Sequence, residues 1–426
     1  MSVILQNHLL KRRSGIATAI YSVCSAHPWV LRAAAEQAAE DRSLLLVEAT
    51  SNQVNQYGGY TGMFPASFRE FVLQHVAAAG LEVSSLILGG DHLGPNPWRG
   101  LPASEAMERA EAMVAEYVRA GFTKIHLDAS MACGDDPPYL SDEIVAQRAV
   151  QLSRAAEAAY QTGDKPVYVI GTEVPVPGGA ANEAHELQVT SSDAAARTLA
   201  VHKQIFKQAL PGVWQRVIAL VVQPGVEFGH DAVDDYQPQK AVQLVEWLRT
   251  QQEKIVFEAH STDYQLPHAY FDLVRDEFAI LKVGPALTFA MREALDALED
   301  IEEQLVAEGQ RSRLSTVVEN TMLRAPENWM PYYSGTPEEQ RLQRHYSYSD
   351  RVRYYWALPE VSAAVQKLIT NLSEIAIPES MLSRYLPAQY LRLRGKQIAG
   401  DPESLIVDRI RDVLRQYAAA CMTQVS

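Results

Sequence analysis

The sequence predicts an α/β protein: a (β/α)8 barrel with a C-terminal helical extension. Three observations carry this. Eight short runs rich in Val, Ile and Leu recur through the first two thirds of the 426 residues, each with the length and composition of a fully buried strand. Helical stretches, with apolar residues at three- and four-residue spacing, lie between them. The runs start roughly 25–50 residues apart, the scale of one barrel unit.

In chain order the runs are "GIATAIYSVCS", "SLLLVEATS", "SLILGGDH", "KIHLDAS", "PVYVIGTEVP", "RVIALVVQPG", "KIVFEAHS" and "FAILKVGPA". The helical stretches include "PWVLRAAAEQAAED", "ASEAMERAEAMVAEYVRAG" and "PQKAVQLVEWLRTQQE". A doubly wound open sheet is the competing arrangement. Eight near-regular units favour closure, and no GxGxxG follows the first run, which argues against a nucleotide cofactor. The barrel is expected over residues 1–310, ending with "TFAMREALDALEDIEEQLVAEG". Residues 311–426 read as mostly helical, with stops at Pro326, Pro331, Pro337, Pro359, Pro378 and Pro387, and are expected to pack on the barrel.

The formal charge of −14 works against nucleic acid and against anionic membranes. A local basic pocket for a small anion can coexist with it. No run reaches the ~18 apolar residues of a membrane span. In "MSVILQNHLLKRRSG" the basic cluster follows the apolar residues, the reverse of a secretory signal. Cys24, Cys133 and Cys421 lie far apart and contain no CxxC, as expected of free thiols in a reducing compartment. Together these predict a cytoplasmic protein.

Barrel active sites lie at the C-terminal ends of the strands, so the polar residues ending each run are the site candidates. The second run carries Glu48 and continues into a loop with Asn52. The third ends in Asp91 and His92, the fourth in Asp128 and Ser130, the fifth in Thr172 and Glu173, and the sixth in Gln223. The seventh gives Glu258, His260 and Ser261, and Lys282 lies within the eighth. His92 and His260 could reach one metal ion across the mouth, with Glu173 as a third ligand. Asp91 would then move a proton at a substrate hydroxyl. Taken singly, an Asp-His pair or a core histidine is as well explained structurally. The shared rim is what joins them. A Schiff base is the rival chemistry, with Lys282 its one candidate, because Lys124 and Lys254 fall at strand starts.

"GGDHLGPN", "SNQVNQYGGYTG", "IGTEVPVPGGA", "VVQPGVEF", "FEAHSTDY", "ILKVGPALTFA" and "YSYSDRVRYYW" together resemble one family. It is the non-catalytic subunit of class II D-tagatose-1,6-bisphosphate aldolase, of the GatZ/KbaZ type. The resemblance covers nearly the whole chain. It implies a class II aldolase-like barrel in galactitol or N-acetylgalactosamine and galactosamine catabolism. It also implies a smaller catalytic aldolase subunit as partner, an oligomeric assembly and a sugar phosphate ligand. By the same resemblance Asp91 matches the catalytic acid of class II aldolases, and His92 and His260 match two zinc ligands. Glu173 matches a carboxylate near the metal, and Asp128 and Ser130 match a motif on the fourth strand. Asp91 and Glu173 are the catalytic candidates, and Glu48, Asn52, Asp128, Ser130, Gln223, Ser261 and Lys282 the substrate-binding ones.

Two departures stand out. A middle zinc histidine is expected near "VVQPG", where this chain has Gln223, a weaker ligand than imidazole. The phosphate-binding pattern is replaced by "HSTDY" and "KVGPA". The implied zinc or other divalent metal site is therefore expected to be weakened. That favours an accessory subunit. A metal-dependent ketose epimerase or aldolase acting alone is the alternative. In "RHYSYSDRVRYYWALPE", Arg344, Arg351 and Arg353 sit among five aromatics. They would form a subunit interface, or else reach a phosphate at the mouth.

Overall fold

The computed structural model describes residues 2–172 and 187–422. All eight expected runs are strands: β1 Ile20–Val23, β2 Leu45–Thr50, β3 Leu86–Leu93, β4 Lys124–Leu127, β5 Val167–Ile170, β6 Val217–Val222, β7 Val256–Ala259 and β8 Phe278–Val283. Each pairs in parallel with its neighbours, and β8 closes on β1 with Ser22 opposite Lys282. Burial on both faces explains their nearly unbroken apolar composition. One short hairpin, Glu227–Phe228 with Val233–Asp234, decorates the connection after β6.

The helices begin where the sequence supplies starts. Ser141 and Ser191 cap Asp142–Ala159 and Ser192–Ala209 by accepting the N–H groups of Ile144 and Ala194. Proline opens Pro28–Asp41, Pro65–Ala78, Pro238–Thr250, Pro267–Arg275 and Pro285–Leu305, since the missing N–H costs nothing in a first turn. The helix Ser2–Leu10 buries Leu5 and Leu9 under the barrel floor, where Ser2 donates to the Lys165 carbonyl at 2.6 Å.

After Pro285–Leu305 the chain is helical to Met422. The last helix, Pro402–Met422, lies against Pro28–Asp41, Pro267–Arg275 and Pro285–Leu305. The Tyr417 hydroxyl donates to the Thr262 carbonyl at 2.8 Å, and the Thr262 hydroxyl donates to the Lys282 carbonyl at 2.6 Å. This final helix is thereby tied to the mouth of the barrel. Two of the three arginines read as an interface are internal instead. Arg344 is buried against Glu319, at 2.6 Å and 2.9 Å, and lies over Trp329. Arg351 is buried over the Tyr332 ring. Stacking and pairing within the extension give these guanidiniums partners that the linear pattern does not show. Arg353 alone of the three reaches the barrel mouth. No helix among the described residues is long and apolar enough to cross a membrane.

Candidate metal centre

Side chains alternate across a strand, so every second residue points into the barrel. On β4 this places Lys124 and His126 on the inner face, with Asp128 next in the same line. β2 contributes Glu48, β7 contributes Glu258 followed by His260, and β8 contributes Lys282. The lowest layer is ionic. Lys124 Nζ lies 2.7 Å from Glu48 Oε1 and 2.8 Å from Glu258 Oε2, and all three side chains are fully buried. Lys282 Nζ sits above, 2.7 Å from both Glu48 Oε2 and Asp91 Oδ1. Ser22 donates to Glu48 Oε1 at 2.7 Å. Gly89 leaves room for this layer, because a Cβ there would come within 2.7 Å of Glu48 Cγ.

Above the lysines stand three imidazoles. The His92, His126 and His260 rings form a triangle, with centroids 5.0, 5.0 and 5.2 Å apart. Donor atoms of Asp91, His126, Glu258 and His260 all lie within 4.8 Å of one another. His92 is held by a backbone in the left-handed region (φ +47°) and by Asp128, whose Oδ2 is 2.7 Å from His92 Nδ1. Asp128 Oδ1 in turn accepts the Ser130 hydroxyl at 2.8 Å. Gly94 permits this approach, since any Cβ would collide with the Asp128 carbonyl.

Burial would raise the carboxyl pKa values here and lower those of the bases, but pairing reverses most of these tendencies. Asp91 is held well below the usual range against burial by His92 and Lys282, and Glu258 likewise by Lys124 and Lys282. His92 is raised despite burial, by Asp91 and Asp128. His260 goes the other way: burial outweighs its Glu258 contact and lowers it to about 3, so it stays neutral. Lys282 is held well above its ordinary value against burial by Asp91, Glu48 and Glu258. Held between two carboxylates at 2.7 Å, the Lys282 ammonium is kept charged, which works against a Schiff base at this position.

These residues fit a divalent ion. Two imidazoles and two carboxylates converge. His126 Nε2 is buried with no hydrogen-bond partner among the described residues. His92 has the carboxylate brace typical of metal-ligating histidines, which frees its Nε2.

The expected residues fall into distinct places. Asp91 and His260 belong to the converging group, and His92 stands against it. Glu48 and Lys282 lie in the ionic layers below, while Asp128 and Ser130 sit behind His92. Asn52 and Ser261 line the cavity above. Gln223 stands apart from the group, because its Oε1 accepts the N–H groups of Gly225 and Val226 and so closes a turn. The third imidazole beside the group comes from β4, as His126. Glu173 lies outside the described residues. The residues the strand-end reading passed over are His126 and Lys124. Their signal was present: positions 124, 126 and 128 share one face of "KIHLDAS".

A cavity of about 90 Å3 opens above the histidines, and Arg353 and Tyr354 reach over it from the extension. It continues into an outer chamber of about 460 Å3 bordered by His27, Trp29, Met63, Phe71 and Trp356. At their junction the helix Pro285–Leu305 begins. The N–H groups of Gly284 and Ala286 donate to Asp263 Oδ1 at 3.0 and 2.9 Å.

A family model described as D-tagatose-1,6-bisphosphate aldolase subunit GatZ/KbaZ-like matches residues 5–422. Among solved structures, a protein described as a probable tagatose 6 phosphate kinase from Sinorhizobium meliloti 1021 is 48% identical. The match covers 95% of this chain and 100% of that one, with a TM-score of 0.87. A fructose-bisphosphate aldolase from Campylobacter jejuni matches at 13% identity, covering 86% of this chain and 90% of its own, with a TM-score of 0.46. The YdjI aldolase from Escherichia coli K12 matches at 11% identity, covering 84% and 94%, with a TM-score of 0.44.

Proposed function

Because this chain belongs to the D-tagatose-1,6-bisphosphate aldolase subunit GatZ/KbaZ-like family, we propose that its barrel is a working metal-dependent site for a ketose or ketose phosphate. Epimerisation or aldol cleavage of that sugar, by this chain itself, is the function the geometry supports best. The observation that carries it is the triangle of His92, His126 and His260 with Asp91 and Glu258 at its edge. A divalent ion held there by His126, His260 and Glu258, with His92 as a further donor, would polarise a ketose carbonyl.

The chain's own groups supply the rest. Asp91 Oδ1 is engaged by Lys282 at 2.7 Å and by His126 at 3.0 Å. Its Oδ2 is the oxygen left for a substrate hydroxyl, with Cys24 Sγ and His92 Nε2 each 3.8 Å away. Asp91 is ionised and can accept that proton. Lys282 keeps a positive charge under the reacting carbons, where negative charge develops. Asp128 orients His92.

The second reading is an accessory subunit that supports a separate catalytic tagatose-bisphosphate aldolase, in galactitol or amino-sugar catabolism. The family's description as an aldolase subunit favours it. One experiment separates the two. The purified chain is supplied with Zn2+ or Mn2+ and given D-tagatose 1,6-bisphosphate, D-tagatose 6-phosphate or D-tagatose, alone and mixed with a class II catalytic subunit. Turnover by this chain alone, lost in Asp91→Asn and His126→Ala, is the expected result. No turnover of any of these alone, with activation only of the mixture, would overturn the first reading in favour of the second.

A further inference from the structure

Two guanidiniums of the extension sit beside the mouth, and no carboxylate among the described residues forms an ion pair with either. Arg351 is buried, its Nε has no hydrogen-bond partner among the described residues, and its Nη1 reaches the Asn328 carbonyl at 3.4 Å. Arg353 donates to the Ser349 and Asp350 carbonyls and, through Nη2, to the Tyr354 hydroxyl at 3.2 Å. The neighbouring carboxylates are committed elsewhere. Asp350 pairs with Arg292 at 3.1 Å and accepts from Thr288 at 2.5 Å, and Asp263 accepts the two N–H groups at the start of Pro285–Leu305. Buried positive charge without a counter-ion is costly, and the ionisable group that both guanidiniums face is a phenol.

That phenol, Tyr354, lines the inner cavity over the histidines. Its ring lies 4.6 Å from the Arg353 guanidinium and 5.7 Å from that of Arg351, and meets Tyr60 edge-on at 4.7 Å between centroids. The hydrogen bond at its hydroxyl is one it accepts, from Arg353, so its own proton has no acceptor among the described residues. The same cavity is lined by Asp91, His92, His260, Asp263 and Lys282. Burial would raise the phenol, but Arg353 and Arg351 outweigh burial and hold it below its ordinary value. Burial prevails at Tyr60, which is raised.

We propose that Tyr354 is a catalytic proton donor of this barrel, acting from the extension while Asp91 acts from β3, with Arg353 as its positioning residue. This rests on the proposed sugar chemistry and adds a second proton-transfer group to it. In aldol cleavage Asp91 Oδ2 takes the proton of a substrate hydroxyl, the adjacent C–C bond breaks, and its electron pair passes to the carbon beside the carbonyl. That carbon must gain a proton before the fragment leaves. The Tyr354 O–H bond breaks and its proton forms the new C–H bond. The phenolate left behind is neutralised by the two guanidiniums until water returns its proton, and Asp91 gives up its own proton to water.

The test has a spectroscopic and a kinetic arm. Phenolate absorbance of the full-length protein, followed upward from pH 7, should show one tyrosine that ionises below the ordinary value of about 10 and is missing in Tyr354→Phe. Arg353→Met should move that ionisation to higher pH, and Arg353→Lys should restore most of the shift. The kinetic arm uses Mn2+ and whichever of D-tagatose, its 6-phosphate and its 1,6-bisphosphate the wild type turns over. There Tyr354→Phe should lower kcat at least about 100-fold and change KM by less than about three-fold. A proton donor must be protonated, so wild-type kcat should fall as pH rises through that ionisation, and Arg353→Met should carry the fall upward with it. Should Tyr354→Phe not fold, these two shifts in Arg353→Met decide instead. A Tyr354→Phe enzyme within about three-fold of wild-type kcat, or a wild type with no tyrosine ionising early, would overturn the proposal and leave the proposed function standing. A wild type that turns over none of the three sugars would overturn both, whatever its phenolate band.

Discussion

Replacing Lys124 by methionine tests whether the ionic floor of the barrel is as tightly interdependent as its geometry implies. Lys124 bridges Glu48 and Glu258 at 2.7 and 2.8 Å, with no solvent exposure on any of the three side chains. Removing one member of a buried ion group leaves carboxylate charge uncompensated, which typically costs about 3–5 kcal/mol. Lys282 still reaches Glu48 at 2.7 Å but Glu258 only at 3.6 Å, so Glu258 loses most. With an unfolding entropy of about 2.1 cal/mol/K per residue, a 426-residue chain unfolding as one unit would lose roughly 4–5 °C of Tm for about 4 kcal/mol. Thermal and urea melts of wild type and Lys124→Met at pH 8 read this directly. The deficit should shrink at pH 5, because the orphaned carboxyl can take up a proton when folded. The double variant Lys124→Met/Glu48→Gln should lose less than the sum of the two single losses. A Tm change below about 1 °C, or a deficit equal at pH 5 and pH 8, would refute the reasoning.

Two further predictions follow from single residues. His126→Ala should retain the far-ultraviolet circular dichroism of the native protein while binding Zn2+ at least about ten-fold more weakly in competition with a chromogenic chelator, whereas Gln223→Ala should bind it as wild type does. His202, buried on Ser192–Ala209 with Nδ1 2.9 Å from the Thr198 carbonyl, is lowered to about 4, mainly by burial. A histidine kept neutral in the fold stabilises it above its unfolded value near 6.5, and that stability is lost as pH falls from there towards 4. His202→Gln should therefore flatten the acid limb of stability against pH by up to roughly 3 kcal/mol, measured by urea midpoints between pH 7 and pH 4.

The barrel was legible because buried parallel strands announce themselves by composition, and all eight runs became strands in the order read. The rim was legible where a polar residue ends an apolar run, as at Asp91, His92 and His260. Residues one layer deeper were not. Lys124 was read at the wrong face because it begins a strand, although parity with Asp128 puts it inside. His126 was hidden in the middle of an apolar run for the same reason. Gln223 was weighed as a ligand position from its place after β6, but the chain turns there and spends the amide on Gly225 and Val226. Asp263 was out of reach for another cause, because it caps a helix beyond the next strand through tertiary contacts that no local pattern encodes, and Arg353, read with Arg344 and Arg351 as able to reach the mouth, could be told from them only once the fold placed it there.

The link from Tyr417 to Thr262 bears on how the protein is made. The ribosome delivers residues 402–422 long after β7 and β8 have emerged, and folding of the earlier units can begin before then. Until the last helix arrives, the loop that follows His260 lacks the hydroxyl that fixes it, and the Pro28–Asp41 and Pro285–Leu305 helices lack their shared cover. A nascent chain can thus close its barrel while its mouth is still unset. Completion of the site waits for the synthesis of residues 402–422, so a ribosome stalled upstream of Pro402 would hold a barrel without a finished centre.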